Sequence, residues 1–142
     1  MAHPVGKIIG IVSVLLLIFT FMMLIYIGVL SKTPMVVRLS DGNVICHQMK
    51  DDYIIPISGI DEISMGSDTS KLKLRKEAGY DMPPMNKGKF NINDEGGCIT
   101  FLDLDTKNYI IISAEGKKYY INAPSDEETE KIYNEVVNQM SD

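Results

Sequence analysis

Six cations, Lys71, Lys73, Arg75, Lys76, Lys87 and Lys89, fall within nineteen residues of a chain whose formal net charge is −5. Ammonium and guanidinium groups gathered on neighbouring strands can hold a phosphate or a carboxylate, and Arg75 is the natural anchor because its planar fork grips two oxygens at once. The same residues also suit the solvated face of a strand, where lysines guard an edge against unwanted pairing. Two acid pairs, Asp103 with Asp105 and Asp51 with Asp52, have the spacing of cation-binding or acid–base carboxylates. They fall at strand ends and turns, however, where aspartate bonds its own backbone. Cys46, Cys98, His3 and His47 lack the spacing of metal ligands. No G-x-S-x-G, G-x-x-x-x-G-K or H-E-x-x-H occurs, so no nucleophile elbow, phosphate-cradling loop or zinc helix is encoded. The expectation is a protein without catalytic residues, cofactor or metal, whose two cysteines are buried free thiols.

One further set of side chains invites a contact. Tyr80, Met82 and Met85 lie in Glu77 to Asn86 (EAGYDMPPMN), a stretch with Gly79, Pro83 and Pro84 and no periodicity, which reads as a loop. Apolar residues in such a loop either fold back over a core or present a surface to a partner.

These residues must be carried by elements, and the first element is decisive. Ile8 to Leu30 runs for 23 positions without a charged side chain, and a helix of that length covers about 34 Å, enough to cross a bilayer core of about 30 Å. The run is too long for the apolar region of a cleaved signal and ends without an A-x-A pattern, so a retained single-pass anchor is expected, placing the protein at the cell membrane. Lys7 on one side against Lys32 and Arg38 on the other does not set the orientation. The chain thus divides into a tail at 1–7, a transmembrane helix at 8–30, a linker at 31–34 and a domain at 35–142.

From residue 33 onward, 12 basic residues stand against 19 acidic ones, a balance of −7. An acidic domain of this kind disfavours nucleic acid and anionic headgroups as principal partners. Its length, about 110 residues, is that of one domain. Met35 to Leu39 and Val44 to Gln48 flank Asp41-Gly42, a strong hairpin signal. Further strands are expected at Tyr53 to Ile57, Ile60 to Met65, Gly88 to Ile92, Cys98 to Leu104, Tyr109 to Ser113 and Lys117 to Ile121. In Lys71-Leu72-Lys73-Leu74-Arg75 charge and leucine alternate, which predicts a half-buried strand. The short connections predict an antiparallel sheet. At Ser125 the period changes: S-x-x-E, three acids in the first turn and a stripe of Thr129, Ile132, Tyr133, Val136, Val137 and Met140 predict a capped amphipathic helix that buries on the sheet.

Seven to nine short strands closed by one C-terminal amphipathic helix form the plan of a pleckstrin-homology-like (PH-like) antiparallel barrel or sandwich. Several stretches resemble the bacterial PH-like domain family: Ile57-Ser58-Gly59-Ile60-Asp61-Glu62-Ile63, then Gly88-Lys89-Phe90, Gly97-Cys98-Ile99-Thr100-Phe101, Tyr109-Ile110-Ile111-Ile112, Tyr120-Ile121-Asn122 and Thr129-Glu130-Lys131-Ile132-Tyr133. The resemblance covers most of positions 43 to 140. It implies a mainly β domain without enzyme activity or cofactor, paired with a membrane segment, and together with the missing catalytic motifs it supports the expectation of a protein-interaction or scaffold module at the bacterial membrane, with another protein or a second copy as partner. Eukaryotic relatives of the fold bind phosphoinositides through basic residues near the first strands, whereas here Arg38 is followed by Asp41, Asp51 and Asp52. Two other functions stay open: anion or ligand sensing through the Lys/Arg patch, and an accessory subunit recognised through its transmembrane helix, where Gly6 and Gly10 permit close helix approach.

Overall fold

The computed structural model describes residues 4–31, 37–47 and 52–142, with the backbone alone at Pro4, Val5, Lys7, Leu30, Ser31, Tyr80 and Met82. His3, Lys32, Met35, Gln48, Asp51 and the linker beyond Ser31 lie outside the described residues. The chain forms two units, Met1–Thr33 and Pro34–Asp142.

In the first unit, α1 (Pro4–Ser31) is one uninterrupted helix. Within it, Ile8–Val29 is long and apolar enough to cross a membrane. Its large apolar side chains stand 43 % (Ile27) to 70 % (Leu17) exposed, an arrangement that water would penalise and lipid would not. Thr20 returns its hydroxyl to the Leu16 carbonyl at 2.8 Å, so this hydroxyl is satisfied within the helix.

The second unit is mainly β. A three-stranded antiparallel sheet comprises β1 (Val37–Ser40), β2 (Asn43–His47) and β3 (Asp52–Pro56), in that order. Asp41 (φ 50°) and Gly42 (φ 72°) are both left-handed, the conformation a two-residue hairpin turn demands. A six-stranded sheet contains β4 (Ile60–Gly66), β5 (Leu74–Met82), β6 (Met85–Ile92), β7 (Gly97–Asp103), β8 (Tyr109–Ala114) and β9 (Lys117–Ile121), ordered β4-β8-β9-β7-β6-β5. The unit ends in α2 (Asp126–Ser141), capped as its sequence predicts: the Ser125 side chain accepts from the Glu128 amide at 3.2 Å. The nine strands form two sheets that do not close into a barrel.

Three expectations need correction. Glu77 to Asn86 is not a loop: β5 and β6 pair through it, Met82 facing Met85, with the cis-linked Pro83-Pro84 as a two-residue turn. The prolines sit in the turn, where no ladder donor is required, and Gly79 (φ 117°) lies directly opposite Gly88 (φ 123°), so the strands approach where no side chain intervenes. The strand read at Lys71 starts only at Leu74, because Thr69–Lys71 is a 3-10 turn. Finally, the large sheet is not wholly antiparallel: Ile99, Thr100 and Phe101 of β7 pair in parallel with Tyr119, Tyr120 and Ile121 of β9. The chain leaves β7 past the place of β9, forms β8, and fills the vacant slot on its return, so β8 itself is the crossover.

Two clusters hold the unit together. The first contains Val44, Cys46, Ile55 and Ile57 with Phe101, Ile110, Ile112, Ile121 and Val136 of α2. It lies where the small sheet and α2 cover one face of the large sheet, and Tyr53 meets Phe101 edge-on at 5.3 Å. The second contains Phe90, Ile92, Cys98, Leu102 and Tyr120, on the other face. Since β4 and β5 occupy opposite edges, residues 67–73 must traverse the sheet between them. This segment is pinned at one end by Thr69, whose amide reaches the Lys107 carbonyl at 3.1 Å and whose hydroxyl reaches the Thr106 carbonyl at 2.8 Å. At the other end Lys73 exchanges bonds with Asn93, both at 3.0 Å. Leu72 and Leu74 pack against the second cluster, so their alternation with the charged residues does mark a buried side even though the strand begins only at Leu74.

Candidate functional site

The six cations of the sequence do not form one surface. Lys71 is taken by Asp68 at 3.2 Å on an exposed turn, where the Ser70 hydroxyl first and Lys71 next hold the Asp68 carboxyl below its ordinary value. Lys73 is exposed beside the Asn93 turn. Arg75 and Lys76 are successive residues of β5 paired with Asn91 and Phe90, which places them on opposite faces of the sheet. Lys87 is buried at 8 % exposure, between Tyr80 and Phe101 in the register, and desolvation lowers its ammonium pKa. Lys89 lines a concavity together with Lys117 and Lys118. Strand alternation and the β5–β6 pairing disperse the patch, because neighbours in sequence point to opposite sides.

The contact set fares differently. Met85 is buried, at 6 % exposure, in the first core cluster, so it caps a core and offers nothing to a partner. The side chains of Tyr80 and Met82 lie outside the described residues. Of the acid pairs, Asp103 accepts from the Asp105 amide at 2.9 Å, and Asp52 is paired with the His47 side chain at 2.6 Å. Cys46 lies in the first cluster and Cys98 in the second, both free. Burial pushes the Cys46 thiol up to about 12 and the Cys98 thiol up to about 11, which makes both inert at neutral pH.

Sequence reasoning missed a polar weld at the start of α2. Asn122, fully buried, accepts from the Asp103 amide at 2.8 Å and donates to the carbonyls of Asp103 and Asn108 at 2.9 and 3.2 Å. Thr106 donates to the Ala123 carbonyl at 3.1 Å, and the Thr129 hydroxyl accepts from the Ala123 amide at 3.0 Å. The Asn108 amide donates to Asp126 at 2.7 Å and its side chain to Glu130 at 2.9 Å. The link between β7 and β8 is thereby fastened to the helix that follows β9.

That fastened helix forms one wall of a groove of about 390 Å³ whose other wall is β1. Val37 and Leu39, alternate residues of β1, form its floor with Ile132, and Glu128, Lys131 and Glu135 form its rim. Among the described residues β1 pairs only with β2, so its outer edge is open. In a hairpin with a two-residue turn the flanking pair Ser40 and Asn43 is hydrogen-bonded, and alternation then turns the outward backbone groups of β1 to Leu39 and Val37. The residues that floor the groove therefore also offer the free edge.

Compared with protein-family models, with curated proteins and with solved structures, the chain matches none.

Proposed function

We propose that this is a single-pass membrane protein, without enzyme activity, whose C-terminal domain is a PH-like module that binds a partner protein at the bilayer surface. The apolar span Ile8–Val29, the hairpin-led small sheet laid on a larger one and the C-terminal helix packed over the first core support that reading. The observation that carries it is the groove between β1 and α2, which joins an open strand edge, an apolar floor and a charged rim. An extended segment added to β1 would gain main-chain hydrogen bonds from the edge and specificity from side chains seated on Val37, Leu39 and Ile132. The rim has two glutamates against one lysine, and α2 as a whole has five acids against Lys131 alone. The fitting occupant is thus a basic, extended segment of another protein.

The test is a photo-crosslinking amino acid at Ile132 in the full-length protein in its native membrane, with Lys107 as the control position. An adduct at 132 that is absent at 107 and lost on E128K/E135K supports the groove. No adduct, or one indifferent to charge reversal, overturns it, and an adduct of the chain with itself replaces the foreign partner by a second copy. Retention of the chain in the membrane pellet after alkaline carbonate washing tests the anchor separately.

A further inference from the structure

A second concavity, of about 270 Å³, opens at the far end of the large sheet, near the β6–β7 and β8–β9 turns. Its construction follows from the sheet register. Because β7 runs parallel to β9 with Ile99 beside Tyr119, the residues just before them, Gly97-Cys98 and Lys117-Lys118, lie side by side. Antiparallel pairing of Lys89 with Ile99 adds Lys89 from β6. On β5 the register slips between Lys76 and Ala78, and the extra residue, Glu77, also lines the cleft. Gly97 keeps the space open: a Cβ there would lie 3.3 Å from the Glu77 carboxylate.

The charges of this cleft are unbalanced. Lys118 reaches Glu95 only at 3.9 Å, the limit of an ion pair, and among the described residues Lys89 and Lys117 make no ion pair at all. Strand alternation puts Lys117 on the face of Tyr119 and Lys89 on the face of Ile99, both in the first cluster, while Lys118 turns to the other face, so the cleft sets Lys89 and Lys117 beside the exposed Glu77 in a domain whose overall balance is negative. Lysines bind phosphate as point charges and favour a doubly charged group over a single carboxylate. Glu77, an acceptor only, repels a bare anion but accepts from a hydroxyl on the same ligand.

We propose that the cleft formed by Lys89, Lys117 and Glu77 binds a phosphate monoester carrying a hydroxyl group, the two ammonium groups holding the phosphoryl oxygens and Glu77 receiving the hydroxyl. The site is separate from the β1–α2 groove and stands or falls independently of it. The phosphate can belong to a free metabolite or to a lipid headgroup, and the test distinguishes them.

The full-length protein in phosphatidylcholine nanodiscs is titrated with inorganic phosphate and with glycerol 3-phosphate, followed by amide chemical shifts of Gly97, Gly116 and Lys117. The same signals are then compared in nanodiscs containing phosphatidic acid. Glycerol 3-phosphate is expected to shift these amides with a Kd of about 1 mM or below. K89Q/K117Q weakens binding at least about tenfold, K107Q leaves it unchanged, and E77Q removes the preference for glycerol 3-phosphate over inorganic phosphate. Shifts induced by phosphatidic acid but not by the soluble ester assign the headgroup as the source. Amides that respond to neither, that respond equally to sodium chloride, or that respond in K89Q/K117Q as in the parent overturn the proposal. The K89Q/K117Q spectrum itself reports whether the variant is folded.

Discussion

The point where β5 meets β6 sets a quantitative test of the fold. Gly79 and Gly88 face each other with φ of 117° and 123°. A Cβ added to Gly88 would lie 2.5 Å from the Ala78 carbonyl oxygen and 2.8 Å from the Gly79 Cα. Both obstacles are backbone, so neither yields by changing a rotamer. Gly88→Ala therefore combines about 2 kcal/mol of backbone strain with about 2 kcal/mol of overpacking, about 4 kcal/mol together. For a domain of this size that lowers the thermal midpoint by about 15 °C. The comparison is Gly42→Ala, where φ is also positive, at 72°, but no atom lies within 4 Å of the added Cβ. Strain alone operates there, about 1 kcal/mol and a fall of about 4 °C. The readout is thermal unfolding of the full chain in nanodiscs, followed by tyrosine fluorescence. A Gly88→Ala midpoint no lower than that of Gly42→Ala would refute the close approach of the two strands.

Three other outcomes are expected. Asn122→Ala removes three buried hydrogen bonds at the weld and costs about 3 kcal/mol, seen as a shift in the denaturant midpoint; an unchanged midpoint would mean that the weld carries no stability. Ser125→Ala removes the cap of α2 and costs about 1 kcal/mol, measurable as faster amide exchange in the first turn of the helix. Both thiols titrate higher in the folded state, about 12 for Cys46 and about 11 for Cys98, than their ordinary value of 9.0. Their contribution to stability is thus complete below pH 9 and declines above it, as the unfolded chain releases protons that the folded chain retains. Neither reacts with iodoacetamide at neutral pH until denaturant is added, and prompt labelling would contradict their burial.

Sequence reasoning located the elements it could see through local chemistry. Asp41-Gly42 announces its turn because only left-handed residues fit a two-residue hairpin, and Ser125 announces α2 because its hydroxyl meets an amide three residues on. The stretch around Gly79 and the two prolines misleads for an equally physical reason. Residues that disfavour a strand in isolation are required where two strands touch and reverse, and that need becomes visible only when Gly88 is known to face Gly79. The parallel pairing of β7 with β9 is encoded in no local pattern. The dispersal of the cations follows from register, which a single-strand reading does not contain, and so does the approach of Lys89 on β6 to Lys117 on β9 across β7.

The segment that crosses the large sheet also governs the order in which this chain acquires structure. β4 finds its partner in β8, with Ile60 pairing with Ala114, 54 positions later. As the polypeptide emerges, the apolar helix α1 and the first hairpin can form from neighbouring residues, whereas β4 and the segment after it must wait until most of the domain has been made. Late closure of distant pairs slows folding and leaves apolar strand faces unprotected meanwhile. Substitutions that loosen the anchorage of Thr69 should therefore leave the hairpin β1–β2 early and intact while prolonging the interval in which the second cluster stays uncovered, so that yield of the native protein, more than its final stability, suffers.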